Sequence, residues 1–173
     1  MIDVSVSYNK YKFLGNEFLT WLWFIIENEE INLKDHEHVV LEIGNKIVCE
    51  RASGDDSVEN ITIKGDDAGL EEGKLALKKG AVVTEISVVY KSGEHQWKFT
   101  IKGESLNLSN LKTPETESLK KKDEYEGAIL EKYYLYNKIV DFIDKIYKKF
   151  VEIRLSKKWD EDTLINITDW IKS

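Results

Sequence analysis

Phe18, Trp21, Leu22, Ile25 and Ile26 recur at helical spacing along one side of a segment, and Leu19, Trp23 and Phe24 fill the other side. A helix that is apolar all round is covered on more than one side, so the pattern predicts a buried central helix over residues 16–27. Gly15-Asn16 reads as a break followed by an N-cap. Glu17 lies in the first turn, where the helix dipole favours negative charge, and Leu14 is placed to pack back on Phe18 or Leu22. Ahead of this helix, Ile2, Val4, Val6 and Tyr8 alternate with polar residues, the period of a half-buried strand.

The next pattern is β-branched. Val39–Ile43 and Lys46–Arg51 flank Gly44-Asn45 and predict a hairpin. Val58, Ile61 and Ile63 predict a further strand ending at Gly65. Asp66-Asp67 can cap a helix reaching about Lys79, with Leu70, Leu75, Ala76 and Leu77 as its apolar side and Gly80 as the residue that ends it. Gly69 and Gly73 weaken its early turns. Val82–Tyr90, a turn at Lys91-Ser92-Gly93-Glu94, and the clean alternation of Trp97, Phe99 and Ile101 predict a second hairpin. Leu106, Leu108 and Leu111 add a short edge strand before Thr113-Pro114.

From Tyr125 to Arg154 only Gly127 interrupts helical periodicity. Ile129, Tyr133, Tyr136, Val140, Ile143, Tyr147, Phe150 and Ile153 form one stripe along a long helix. After Ser156-Lys157-Lys158, Asp160 or Asp162 caps a short helix with Leu164, Ile167, Trp170 and Ile171 on its inner side. The expected fold is α+β: a mainly antiparallel sheet of hairpins packed on a buried N-terminal helix, followed by a long C-terminal helix and a short terminal one. Residues 1–112 form the core, 113–123 a connector, and 124–173 a helical segment packed on that core or extending from it.

Composition then narrows the function classes. The chain has 173 residues, of which 42% are hydrophobic and 33% charged, enough apolar material for a real core. No basic-then-apolar leader opens it, and the apolar run 18–26 is shorter than the roughly 20 residues a bilayer requires. A soluble, cytoplasmic protein without a membrane partner is expected. The net charge is −7, yet residues 120–158 carry 11 basic and 7 acidic side chains, a local excess of +4.

Candidate chemistry is sparse. Cys49, the single cysteine, lies in a strand pattern and reads as a packed thiol. His36 and His38 have the spacing of two ligands on one strand face, but stand in a charged loop without cysteine partners, and His95 is alone at a turn. Asp55-Asp56, Asp66-Asp67 and Asp160-Glu161-Asp162 read as loop or capping carboxylates rather than a two-metal site. No phosphate loop, dinucleotide fingerprint or nucleophile elbow is present. No catalytic residue, metal site or cofactor is expected. Basic residues are the remaining candidates for a binding role: Lys74, Lys78 and Lys79 near the end of the second helix, and Lys145, Lys148, Lys149 and Arg154 late in the long helix. They are placed either to meet phosphates or to serve as solvated helix faces.

The run Phe13-Leu14-Gly15-Asn16-Glu17-Phe18-Leu19-Thr20-Trp21-Leu22-Trp23-Phe24 resembles a signature passage of the RdgC-like family of recombination-associated proteins. Ala76–Ile86, continuing to Trp97–Ile101, resembles the helix-to-strand passage in the C-terminal half of that family, and Phe142–Trp159 sits where that half ends in a helix. The resemblance covers most of this chain and only part of a full-length RdgC, with no counterpart of its N-terminal half. It implies a non-enzymatic, nucleoid-associated protein that binds duplex DNA without sequence preference and restrains a RecA-type recombinase, as a ring-shaped dimer. The passages that match include Lys78 and Lys79. Two readings stand side by side: an RdgC-like DNA-binding protein, and an acidic interaction or dimerisation domain that uses the long helix and has no DNA affinity.

Overall fold

The computed structural model describes residues 4–28, 38–52, 58–64, 67–115 and 125–173. Its first helix, α1, spans Val4–Glu27. Val4, Val6 and Tyr8 therefore belong to a helix and not to a strand, and Ile2 lies outside the described residues. Four alternating positions are a short signal, and no proline separates them from the stretch that follows. Once that stretch has nucleated, each further residue gains one hydrogen bond for one residue fixed.

Five strands form one antiparallel sheet: β1 (Val39–Ala52), β2 (Val58–Lys64), β3 (Val82–Ser92), β4 (His95–Lys102) and β5 (Leu108–Lys112), in the order β2-β1-β3-β4-β5. The predicted hairpin at Gly44-Asn45 is absent, because β1 runs straight through it. Val39–Ile43 pairs with the far half of β3 and Ile47–Glu50 with the near half, so β3 supplies a partner on both sides of the Gly-Asn pair. The pair becomes a bulge. A Cβ on Gly44 would lie 2.4 Å from the Ser87 hydroxyl, which leaves glycine as the residue that fits. The β3–β4 hairpin is as expected, with Ser92 opposite His95 and Gly93 at positive φ in the two-residue turn.

Helix α2 (Asp67–Lys78) ends as its sequence indicates. Gly80 takes φ +83°, its N–H donates to the Leu77 carbonyl at 2.9 Å, and the Ala81 N–H reaches back to Ala76 at 3.0 Å. This is a Schellman end, in which a left-handed residue satisfies carbonyls that would otherwise be orphaned. Leu75, expected on the apolar side, is half exposed, whereas Ala76 and Leu77 are buried.

Helix α3 (Tyr125–Arg154) is the predicted long helix. A single π-helical turn, Trp159–Thr163, then leads into α4 (Leu164–Lys172). Asp160 and Asp162 sit inside that turn instead of capping α4. The cap position is Thr163, which makes no side-chain cap bond, and Asp162 accepts from Asn166. The wider turn allows Trp159 and Thr163 both to face inward. On α4, Ile167 and Trp170 are buried while Leu164 is exposed, so the inner face starts one turn later than expected.

One core joins these layers. Phe18, Leu19, Leu22 and Trp23 of α1 are fully buried between the sheet residues Val83, Ile86, Val88 and Ile101 and the helices α3 and α4. Phe18 packs on Tyr147 at 5.1 Å and on Phe150 at 5.5 Å, and Trp23 meets Trp170 edge-on at 5.3 Å. Each such side chain contributes roughly 1.5–3 kcal/mol by leaving water. Trp97 adds a polar tie, donating from Nε1 to the Leu135 carbonyl of α3 at 3.1 Å.

Gly15 is neither a break nor the residue before a cap, and Asn16 is no N-cap. Both lie inside α1, where the Asn16 carbonyl accepts from Thr20. Gly15 is there for clearance: a Cβ on it would sit 1.7 Å from the carbonyl oxygen of Gly103, in the turn after β4. Helix propensity alone makes Gly15→Ala stabilising by about 1 kcal/mol. The backbone contact reverses that sign, and the substitution is expected to lower unfolding free energy by ~2–4 kcal/mol. Urea unfolding followed by tryptophan fluorescence decides between the two.

Candidate functional site

The basic residues that were candidates either to meet phosphate or to form solvated helix faces have mostly been recruited by the fold. Lys74 pairs with the Glu27 carboxylate at 2.8 Å and lies 5.0 Å over the Trp170 ring. Arg154 donates from Nε to Glu17 at 2.7 Å and stacks 5.0 Å from Trp159, and the bond to Glu17 pushes its pKa up. Lys145 and Lys148 each bind the carboxylate one turn earlier, Asp141 and Asp144, both at 2.7 Å. Lys149 is half-buried beside Trp21, Ile25 and Ile153 at the α1–α3 junction. Lys78 and Lys79, in contrast, are exposed at the end of α2, and neither has an ion-pair partner among the described residues. The seven candidates therefore divide into five engaged cations and one exposed pair, on two different helices.

Glu27 was not among the candidate residues, yet three donors converge on it. Its Oε1 accepts from Trp23 Nε1 at 2.7 Å, and its Oε2 accepts from Trp170 Nε1 at 2.8 Å as well as from Lys74. A carboxylate at the C-terminal end of a helix opposes the macrodipole. That local conflict was the available signal.

Two of the remaining reactive groups, Cys49 and Tyr90, are enclosed, whereas His38 and His95 are exposed. Cys49 is buried and its thiol is pushed up to about 11 by desolvation, which removes the thiolate a nucleophile requires. Tyr90 is likewise pushed up to about 12, chiefly by burial. His95 lies edge-on to Trp97 at 6.0 Å, His38 opens β1 at φ +63°, and His36 is outside the described residues, as are Asp55, Asp56 and Asp66. Among the described residues no group of three His, Cys, Asp or Glu side chains could hold a metal ion. No described helix is long and apolar enough to cross a membrane.

The largest departure from the expected pattern is on α3. Its core face is Ala128, Leu135, Ile139, Phe142, Ile143, Ile146 and Phe150, a 3.6-residue repeat. The stripe expected from sequence follows a 3.5-residue repeat and joins the core only from Ile143 onward, where Tyr147 and Phe150 meet Phe18. Its first half faces outward: Ile129, Tyr133, Tyr136 and Val140 are 47–66% exposed, and Leu130 and Tyr134, outside the stripe, are each 67% exposed. A straight helix drifts about 20° per heptad from a 3.5-residue repeat. Two apolar stripes thus converge toward the C-terminal half of α3 and separate toward its N-terminal half.

An apolar cleft of about 360 Å³ is lined by Leu77, Val82, Trp159 and Ile167. Of its polar groups, Thr20 donates to the Asn16 carbonyl, Thr168 donates to the Leu164 carbonyl and Glu17 holds Arg154, while the Asn16 side-chain Oδ1 is buried with no hydrogen-bond partner among the described residues.

The chain matches no protein-family model, no curated protein and no solved structure.

Glu27→Ala would leave two indole N–H groups and one ammonium without their shared acceptor. It is expected to lower stability by ~2–4 kcal/mol, since each orphaned buried donor costs about 1–3 kcal/mol and part of this site is wet. Glu27→Gln keeps one acceptor and should lose about half as much. Chemical denaturation of both variants measures the difference.

Proposed function

We propose that this protein is a dimerisation module whose working surface is the N-terminal half of α3, and that its partner there is a second copy of the chain. The supporting observation is the exposed seam Ile129, Tyr133, Tyr136 and Val140. Its 4-3-4 spacing is that of the a and d positions of a coiled coil. With Leu130 and Tyr134 it presents on the order of 600 Å² of mainly apolar surface, at the upper limit of the ~300–600 Å² that monomers tolerate. That area is most of the ~800 Å² each partner gives to a standard interface.

The seam is also self-complementary. Read in either direction it runs aliphatic, tyrosine, tyrosine, aliphatic. An antiparallel pairing about a two-fold axis sets Ile129 against Val140 of the other copy and Tyr133 against Tyr136. Such an isologous contact closes on itself at two subunits, and tyrosine is enriched in interfaces of this kind.

Sedimentation over a concentration series tests the proposal. A dimer at micromolar concentration is expected, and a Tyr133→Glu, Tyr136→Glu variant should weaken association at least 100-fold, two central aromatics commonly being worth 2 kcal/mol or more each. Its circular dichroism should be unchanged, because both side chains face solvent. A wild-type chain that stays monomeric at several hundred micromolar overturns the reading.

A second reading is that the chain also contacts duplex DNA in the manner its RdgC-like passages imply. Lys78-Lys79, exposed at the end of α2 and without an ion-pair partner among the described residues, favour it. Fluorescence-anisotropy titration with a random duplex should then show binding that falls steeply with salt. The Lys78→Glu, Lys79→Glu variant should reduce the slope of log K against log salt by about 2, close to one unit per lost phosphate contact. Absence of binding at low salt removes this reading and leaves the first intact.

A further inference from the structure

The face of the sheet turned away from α1 carries a concavity of about 430 Å³. Its floor is made by Ser87 and Thr100, directly opposite each other on β3 and β4, with Val89 beside them. Thr100 is a buried polar residue of the sheet, 5% exposed. Two irregularities build the walls. On one side β1 bulges at Gly44-Asn45, tight against Ser87. On the other, β5 carries an extra residue between its Ser109 and Lys112 pairings with β4, and Asn110 there takes φ +53°. Left-handed backbone is uncommon outside glycine, and bulges concentrate where a sheet re-aims side chains toward a site.

The charges are the unusual part. Lys46, Lys98 and Lys112 line the concavity and, among the described residues, no carboxylate does, in a protein of net charge −7. Lys46 is shared with Glu85, a neighbour on β3 that also holds Lys102. Lys98 and Lys112 are direct cross-strand partners, and neither has an ion-pair partner among the described residues. Like charges placed opposite each other destabilise a sheet. Local choices that work against the fold mark positions held for another purpose.

We propose that this concavity binds the phosphate monoester of a small polar molecule of sugar-phosphate or mononucleotide size. A dianionic group between Lys98 and Lys112 converts their repulsion into two charge-assisted contacts. Ser87, Thr100, Asn45 and Asn110 supply neutral donors and acceptors for the phosphate oxygens and the polar body of the ligand. The volume lies within the ~300–1,000 Å³ of small-molecule sites, and the acidic remainder of the surface repels polyanions that cannot concentrate their charge at this one place. The site is on the sheet and is separate from the α3 seam.

Isothermal titration with ribose 5-phosphate and adenosine 5′-monophosphate tests it, using ribose, adenosine and a short single-stranded oligonucleotide as comparisons. Both monoesters should bind, and the unphosphorylated pair should bind at least tenfold more weakly. A Lys98→Gln, Lys112→Gln variant should lose at least tenfold in monoester affinity while melting, without ligand, at the wild-type temperature or above it, because the repulsion is gone. A lower melting temperature for the unliganded variant, or equal affinity in variant and wild type, overturns the assignment. So does the absence of binding by either monoester at millimolar concentration. Preference for the oligonucleotide over the monoesters transfers the phosphate to a nucleic-acid backbone and overturns the small-ligand proposal.

Discussion

The carboxylate of Glu27 stands where three helices meet, and the packing of the helical layer depends on it. It ends α1, accepts from the indole of Trp170 on α4, and holds Lys74 of α2. Without that acceptor the two indoles could still pack edge-to-face, but their N–H groups would be turned into a partly dry junction with nothing to meet. One side chain therefore sets how α2 and α4 are oriented against α1. The aromatic contacts of Trp170 with Trp23 and Phe24 follow from that orientation.

The same economy explains the charged surface. The lysines and arginine read from sequence as either phosphate ligands or solvated helix faces, yet Lys74 and Arg154 are structural, each seated over a tryptophan with a carboxylate at hand. What the fold leaves uncommitted is more informative: an apolar seam on α3 and a lysine pair on the open face of the sheet. Both are costs that folding alone does not require, one in exposed apolar area and one in like-charge repulsion.

Wherever a local signal had one physical outcome, it was legible in the sequence. Gly80 after an amphipathic turn ended α2, Gly93 turned β3 into β4, and the run from Phe18 to Ile26 was buried as its all-round apolarity required. Signals with two outcomes were settled by partners elsewhere in the chain. Gly44-Asn45 suits a turn or a bulge, and β3 was long enough to enforce the bulge. Gly15 suits a break or a close approach, and Gly103, 88 positions later, selected the approach. On α3 two apolar stripes competed, Ile129, Tyr133, Tyr136 and Val140 at 3.5-residue spacing and Ala128, Leu135, Ile139 and Phe142 at 3.6, and only packing against the sheet selected the second. The sheet concavity was not legible because Lys98 and Lys112 become neighbours only through the register of β4 and β5.

The bond between Glu27 and Trp170 also has a meaning in time. Its partners are 143 residues apart, and translation at roughly 5–20 residues per second puts the second on the order of ten seconds behind the first. Throughout that interval the α1 surface that Trp170 covers stays open: α2, made earlier, reaches Glu27 through Lys74, but the edges of Trp23 and Phe24 that meet Trp170 wait for α4. Until α4 is made, the aromatic face of α1 that Trp170 covers in the folded protein has only water or passing surfaces to meet.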